Sequence, residues 1–263
     1  MKWQISVYRT DSIRQLQTAS GEYSILLRSW QVISRDGESS MNEKKICFIL
    51  CTNSELYEKE CISYIERLNV PEGYELEICP VKRASSITSG YNQAMKGSDA
   101  KYKVYLHQDV FIVYADFIKE MLQLFQNKEI GMIGMVGNLE IEKNAVMWYG
   151  KRVGMIHSNS VYFADSYLFG KVKGKYQAVS AIDGLLMATQ YDILWREDIF
   201  KGWDFYDISQ SMEFRKRGYE VIVPAMERPW CIHDDGILNL SNYYKEREIF
   251  LKEYILQERG EDE

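Results

Sequence analysis

What the sequence lacks narrows the field first. There is no long block of Lys and Arg, and the net charge is −6. A nucleic-acid surface normally shows as a basic patch, so no nucleic-acid partner is expected. The five cysteines, Cys47, Cys51, Cys61, Cys79 and Cys231, are odd in number and form no C-x-x-C pair. That pattern favours reduced, buried thiols in a cytoplasmic protein over a disulfide frame or a zinc site. No apolar stretch reaches the roughly 18–20 residues of a membrane span, so no transmembrane segment is expected. The first thirty residues lack a basic start followed by an apolar core, and no signal peptide is expected. No internal repeat or low-complexity segment is present.

What remains is ordinary in bulk. The 263 residues, 46% hydrophobic and 27% charged, suit one large α/β domain or two small ones. Aromatic residues make up 13%, including 19 Tyr and 6 Trp. Sugar-binding clefts use such rings, and so does plain packing.

From Ile46 the chain alternates strand and helix. "ICFILC" is a continuous apolar run of the kind a buried parallel strand shows, ending in Thr52-Asn53-Ser54. "SELYEKECISYIERL" has helical spacing, with Ser54 as its N-cap. "YELEICPV" reads as a strand and "SSITSGYNQAMKG" as a turn into a short helix. "KYKVYLHQDV" is a strand, "ADFIKEMLQLFQN" a helix and "IGMIGMVG" a fourth strand. This order predicts a doubly wound, mostly parallel sheet with helices on both faces. Residues 138–178 read as loops with a small hairpin. "VSAIDGLLMATQ" and "YEVIVPA" read as strands, "DISQSMEFRKRG" as a helix, and "SNYYKEREIFLKEYILQERG" as a long closing helix. Residues 1–43 read as an N-terminal extension of unassigned role, with strand-like "WQISVYRT" and "YSILLRSWQVI" and a polar linker "SRDGESSMNEKK". Residues 44–263 form the domain.

In open parallel sheets, ligands bind beyond the carboxyl ends of the strands. Three such ends are polar: Thr52-Asn53, His107-Gln108-Asp109 and Asp183-Gly184. A buried strand needs neither a His nor an Asp at its end, so "YLHQDVF" points to a cleft that uses a carboxylate.

That stretch resembles the D-x-D-like strand end of GT-A glycosyltransferases. "GWDFYDISQSMEFRKRGYEVIVP" resembles the family 2 segment that reads roughly G-x-E-D, then an Arg-containing helix and Gly-Tyr. There the Asp stands eleven residues before the Gly, as Asp207 does before Gly218, whereas Asp204 stands fourteen before it. The resemblance covers about residues 44 to 240 and implies a GT-A (Rossmann-like) fold. It also implies an inverting transferase that moves a sugar from a nucleotide-sugar donor, a UDP-sugar above all, to a glycan or glycoconjugate acceptor.

The resemblance distributes roles. A divalent cation, Mn²⁺ or Mg²⁺, would neutralise the leaving diphosphate, held by Asp109 and by His233 of "PWCIHDDG", with Asp234 and Asp235 as rivals. Asp207 would be the general base. Thr52, Asn53, Tyr91, Asn92, His107 and Gln108 would meet the nucleotide. Asp183, Gly184, Trp203 and Asp204 would meet the acceptor or the donor sugar. Plainer readings stand beside these. Asp207 with Gln210 makes a capping box, Asp109 caps a turn, His107 is structural, and Trp203 is core. The chain departs from the family at His107, where D-x-D has its first acid, and at Tyr206, where the Glu of Glu-Asp belongs. Both departures leave room for an altered metal requirement or an inactive binding domain. A nucleotidyltransferase, the other enzyme reading, usually has a Gly-rich, Arg/Lys-bearing loop that "CTNSELYEK" lacks.

Overall fold

The apolar run that opens the domain becomes β2 (Asn42–Thr52), and its two alternating faces explain the layers. Ile46, Phe48 and Leu50 pack with one helical layer and Cys47, Ile49 and Cys51 with the other. A strand covered on both sides has no face to leave polar. The computed structural model describes residues 8–9, 41–161, 164–237 and 240–256. The expected strand "YSILLRSWQVI" and the end of the closing helix beyond Leu256 lie outside them.

Two sheets organise the described residues. The larger has eight strands in the order β1-β3-β2-β4-β12-β6-β13-β10. These are β1 (Tyr8–Arg9), β3 (Glu75–Lys82), β2, β4 (Ala100–His107), β12 (Leu186–Thr189), β6 (Ile130–Gly134), β13 (Glu220–Pro224) and β10 (Tyr176–Ala178). β3, β2 and β4 run parallel, as expected, and so do β6 and β13. β12 runs antiparallel between β4 and β6, with Met187 opposite Tyr105 and Gly134. The sheet is therefore mixed. α1 (Glu55–Ile65) and α3 (Phe117–Leu124) cover one face; α2 (Ile87–Gly97) and α4 (Tyr206–Lys216) cover the other.

The second sheet has the order β11-β7-β8-β14-β5, with β9 beside β8. Its strands are β11 (Ala181–Ile182), β7 (Val136–Asn138), β8 (Arg152–Ser160), β14 (Cys231–Gly236), β5 (Val110–Ile112) and β9 (Ala164–Gly170). Here the hairpin expected within 138–178 is present as the antiparallel β8–β9 pair, but it is longer than a small hairpin among loops. β8 and β9 are long strands, half-exposed and rich in polar residues, so they carry no apolar run to announce them. "IGMIGMVG" is likewise divided between the two sheets, β6 before Met135 and β7 after it.

Ser54 caps α1, its hydroxyl accepting the Tyr57 N–H at 3.4 Å. Ser86 and Ser89 form a reciprocal capping box on α2. α5 (Tyr243–Phe250) continues as a wider turn over Leu251–Leu256 and packs with α4. All five cysteines are free and buried. Asn42–Lys45, expected in the polar linker, belong to β2, and Tyr8–Arg9 pair with β3.

We propose that residues from Met41 onward fold without the segment before them. A chain starting at Met41 should unfold cooperatively, with Tm a few degrees below that of the full chain, because among the described residues β3 loses the pairing of Tyr8 and Arg9. Loss of the cooperative transition in circular dichroism would make the early segment part of the core.

Candidate active site

Short connections between the two sheets lie side by side, two leaving the large sheet and one returning to it. β4 passes to β5 through Gln108–Asp109, β6 to β7 through Met135, and β11 to β12 through Asp183–Leu185. Backbone bonds stitch this seam: His107 N–H to Leu185 O at 3.1 Å, Asp183 N–H to Val136 O at 2.9 Å and Asp234 N–H to Asp109 O at 2.9 Å. A strand that changes sheets must end its side-chain alternation, so polar side chains collect at the seam.

On one side of it stand His107, Asp109 and His233. His233 arrives on β14, paired with Val110 of β5. Its Nε2 is 3.8 Å from Asp109 Oδ1, and His107 Nδ1 is 3.9 Å from the same oxygen. One donor atom from each residue lies within 4.8 Å of the others, a grouping able to hold a metal ion. Burial pushes the His107 pKa down, opposed by Asp109 and Asp183 and reinforced by His233. A neutral imidazole is the form that ligates. Asp234 is not in this group, and its carboxylate accepts bonds from Tyr57 and Asn159. One oxygen of Asp235 is buried without a partner among the described residues.

On the other side stands Asp207, in the first turn of α4. The turn into this helix places Phe205 in the left-handed region, with φ 58°. Asp207 Oδ2 accepts the Gly184 N–H and Oδ1 the Ile208 N–H, both at 2.8 Å. Burial, and then the neighbouring charge of Asp183, raises its pKa to about 7, while the backbone donors oppose the rise. The capping-box reading is corrected: Asp207 lies inside the helix, and Gln210 donates to Ile193 O at 2.7 Å.

Tyr206 joins the two sides. Its hydroxyl hydrogen-bonds to His107 Nε2. The two residues that depart from the family's acids are therefore partners. Gly184 makes this possible, since a Cβ there would lie 2.1 Å from the Tyr206 oxygen.

At the end of β2, Gln108 Oε1 accepts from Thr52 Oγ1 at 2.9 Å and from the Asn53 and Ser54 N–H groups at 3.0 and 3.1 Å. Gln108 Nε2 donates to Asn53 Oδ1 at 2.7 Å. Thr52, Asn53 and Gln108 are thus brought together, with Asn53 exposed and Thr52 buried. Tyr91 and Asn92, expected to meet the nucleotide, are not part of this group. Tyr91 is buried against Tyr105, Trp195 and Tyr206. Asn92 spends its amide on the backbone of Trp195, with both bonds at 2.9 Å.

Asp183 accepts the Leu185 N–H at 3.1 Å, a strand-end turn within the seam. Trp203 is 52% exposed, so the core reading fails for it. Asp204 is half-buried, which raises its pKa, and its N–H donates to Glu246 Oε2 at 3.0 Å. Sequence reasoning missed Trp148 and Tyr243. Their rings stack at 5.5 Å, and Tyr243 packs on Phe205 at 4.9 Å, just before α4. Nothing in "MWYG" or "SNYYKE" marks them, because a long stretch of chain separates them.

The comparisons agree with this architecture. A model described as "Glycosyltransferase like family" matches residues 47–254, and the chain belongs to that family. No curated protein matches the chain. Among solved structures, S. aureus TarS aligns with a TM-score of 0.51 at 12% identity, covering 76% of this chain and 38% of TarS. Its 1–349 form aligns at 0.50 and 11% identity, covering 76% of this chain and 62% of that one. The mannosyltransferase PcManGT from Pyrobaculum calidifontis, in complex with GDP-Man and Mn²⁺, aligns with a TM-score of 0.48 at 11% identity, over 79% of this chain and 61% of that one. The matches thus span under two thirds of these chains. The fold is the GT-A type, a mixed α/β sheet with helices on both faces. No helix among the described residues is long and apolar enough to cross a membrane.

The raised pKa of Asp207 has a signed consequence. The folded state holds this proton more tightly than the unfolded chain, whose carboxyl titrates near 3.8. Stability from this group is full below about pH 4 and is lost as pH rises through about 7. Urea denaturation across pH 4–8 should show that fall in wild type and a shallower one in Asp207→Asn. The variant loses one N–H bond at every pH, so the slope is the readout. An unchanged slope would show that Asp207 titrates normally.

Proposed function

We propose that this protein is an inverting, metal-dependent glycosyltransferase that moves a sugar from a nucleotide-sugar, a UDP-sugar, to a glycan or glycoconjugate acceptor. One observation carries the reading: a metal-type cluster and a carboxylate with a raised pKa face one seam, joined by the His107–Tyr206 bond. The donor set fits a divalent cation, two imidazoles and a carboxylate converging within 4.8 Å. Asp109 and His233 would hold Mn²⁺ or Mg²⁺ there, and the ion supplies charge neutralisation for the departing diphosphate.

The chain's own residues do the rest. Asn53, braced through Gln108 and Thr52, meets the nucleoside at the end of the first domain strand. Asp207 takes the proton of the acceptor hydroxyl. The Gly184 and Ile208 N–H groups fix its carboxylate, so its orientation is set before the acceptor arrives. Its pKa of about 7 suits a base that must both accept and release a proton near neutrality. Trp203, Asp204 and the Trp148–Tyr243 stack line the acceptor side, where aromatic faces complement the C–H faces of sugars.

Calorimetry of UDP with Mn²⁺ and with EDTA tests the donor half. Affinity should require the ion, and Asp109→Ala should abolish that requirement together with most of the binding. Equal affinity in EDTA would remove the metal from the account. For the base, Asp207→Asn should lower kcat by about 10² to 10⁴ while leaving the Kd for UDP within about threefold. A kcat within that same factor of wild type would reduce Asp207 to a structural carboxylate.

A further inference from the structure

The cluster at the seam contains more nitrogen than the family pattern supplies. His107 stands where that pattern has an acid, and its Nδ1 approaches Asp109 Oδ1 to 3.9 Å, matching the 3.8 Å approach of His233 Nε2. The two rings lie 5.6 Å apart. Around an octahedral ion with bonds of about 2.1 Å, neighbouring donors sit about 3 Å apart and opposite ones about 4.2 Å. The observed separations require only small side-chain movements to reach that range.

His107 is also held as a metal-binding imidazole is held. Its second nitrogen is bonded to the Tyr206 hydroxyl, and ligating histidines characteristically use the second nitrogen in this way. The Tyr206 hydroxyl is itself confined. The ring is buried among Tyr91, Trp195 and His107, and Gly184 leaves room for the oxygen and nothing larger. With Nε2–H donating to Tyr206, the free lone pair of His107 is on Nδ1, the atom that points at Asp109.

We propose that His107 is the third ligand of this centre, that Tyr206 is the positioning residue for it, and that the resulting set selects a first-row transition ion over Mg²⁺. The physical reason is ligand type. Mg²⁺ is hard, binds oxygen and keeps its waters, whereas imidazole nitrogen suits Mn²⁺, Co²⁺ and Zn²⁺ progressively better. His in place of an acid at position 107 leaves one carboxylate fewer for a hard ion and one imidazole more for a softer one. The inference rests on reading the cluster as a metal site and is independent of which reaction the site performs.

The test uses metals alone, with the full chain and no nucleotide. Co²⁺ binding is followed by visible absorption and Mn²⁺ binding by pulsed electron paramagnetic resonance, which detects coordinated ¹⁴N. Wild type should show two coordinated imidazoles, and about a hundredfold excess of Mg²⁺ should fail to displace Co²⁺. His107→Asp should show one imidazole, and Mg²⁺ should now compete. Tyr206→Phe keeps the ring and removes only the hydroxyl. It should keep both imidazoles but weaken Co²⁺ affinity by about 10- to 100-fold, with the metal-free melting temperature nearly unchanged. An unchanged ¹⁴N pattern in His107→Asp, or displacement by equimolar Mg²⁺ in wild type, would overturn the proposal. Undiminished affinity in Tyr206→Phe would overturn the positioning role. Sugar transfer supported equally by Mg²⁺ would contradict this inference while leaving the transferase reading in place.

Discussion

The hydrogen bond between His107 and Tyr206 is the contact on which the rest of the site depends. His107 ends β4, the strand that leaves the large sheet, and Tyr206 opens α4, the helix that carries Asp207. That bond works beside a backbone link, since the Gly184 N–H holds Asp207 and the next residue's carbonyl, Leu185 O, accepts the His107 N–H. The carboxylate and the cluster are thus tied through side chains and through the seam. Gly184 is where both constraints meet. Its N–H holds Asp207 and its missing side chain admits the Tyr206 hydroxyl. The candidate site thus lies on a line where strands change partners, held by backbone pairing and by the buried side chains of Leu106, Met135, Ile182 and Leu185.

Electrostatics at the seam follow from burial. Asp207 lies beside Asp183 with little solvent, so its proton is held more tightly and its pKa is raised to about 7. The same burial lowers the His107 pKa and so keeps the imidazole neutral. The His107 shift favours the neutral, ligating imidazole, while the Asp207 shift strengthens the carboxylate as a base and still leaves it partly ionised near neutrality. A carboxylate at position 206, next to Asp207 and within reach of Asp183, would add a third charge to this confined space. Tyr206 supplies a polar oxygen there without one.

Much of this was legible in the sequence, for a reason that also explains what was not. Ile46–Cys51 and Val104–Leu106 are continuous or alternating apolar segments buried by the helices, and their pattern reports their place directly. The resemblance points to Asp109 at a strand end, to His233 in "PWCIHDDG" and to Asp207 eleven residues before Gly218, and the fold brings Asp109 and His233 to 3.8 Å. β8, β9 and β12 were harder. The first two are half-exposed, and the antiparallel insertion of β12 between β4 and β6 is a tertiary choice that four residues, Leu186–Thr189, do not announce. Tyr91 and Asn92 follow a polar turn in the sequence yet are buried in the fold. The structure instead spends the Asn92 amide on the Trp195 backbone. The pairing of His107 with Tyr206 spans 99 positions, and no local pattern encodes it.

The account makes Asp207 a base and gives the site no nucleophile, which fixes a stereochemical outcome. Asp183 is the second carboxylate near the reacting region, and the account gives it no bond to sugar. The most direct measurement is the anomeric configuration of the first-formed product, followed by proton NMR during turnover with a donor of known configuration. Inversion at the anomeric carbon is the predicted result, because one displacement occurs. Retention would contradict the account, since it requires a second displacement and would make Asp183 the first candidate for a covalent role.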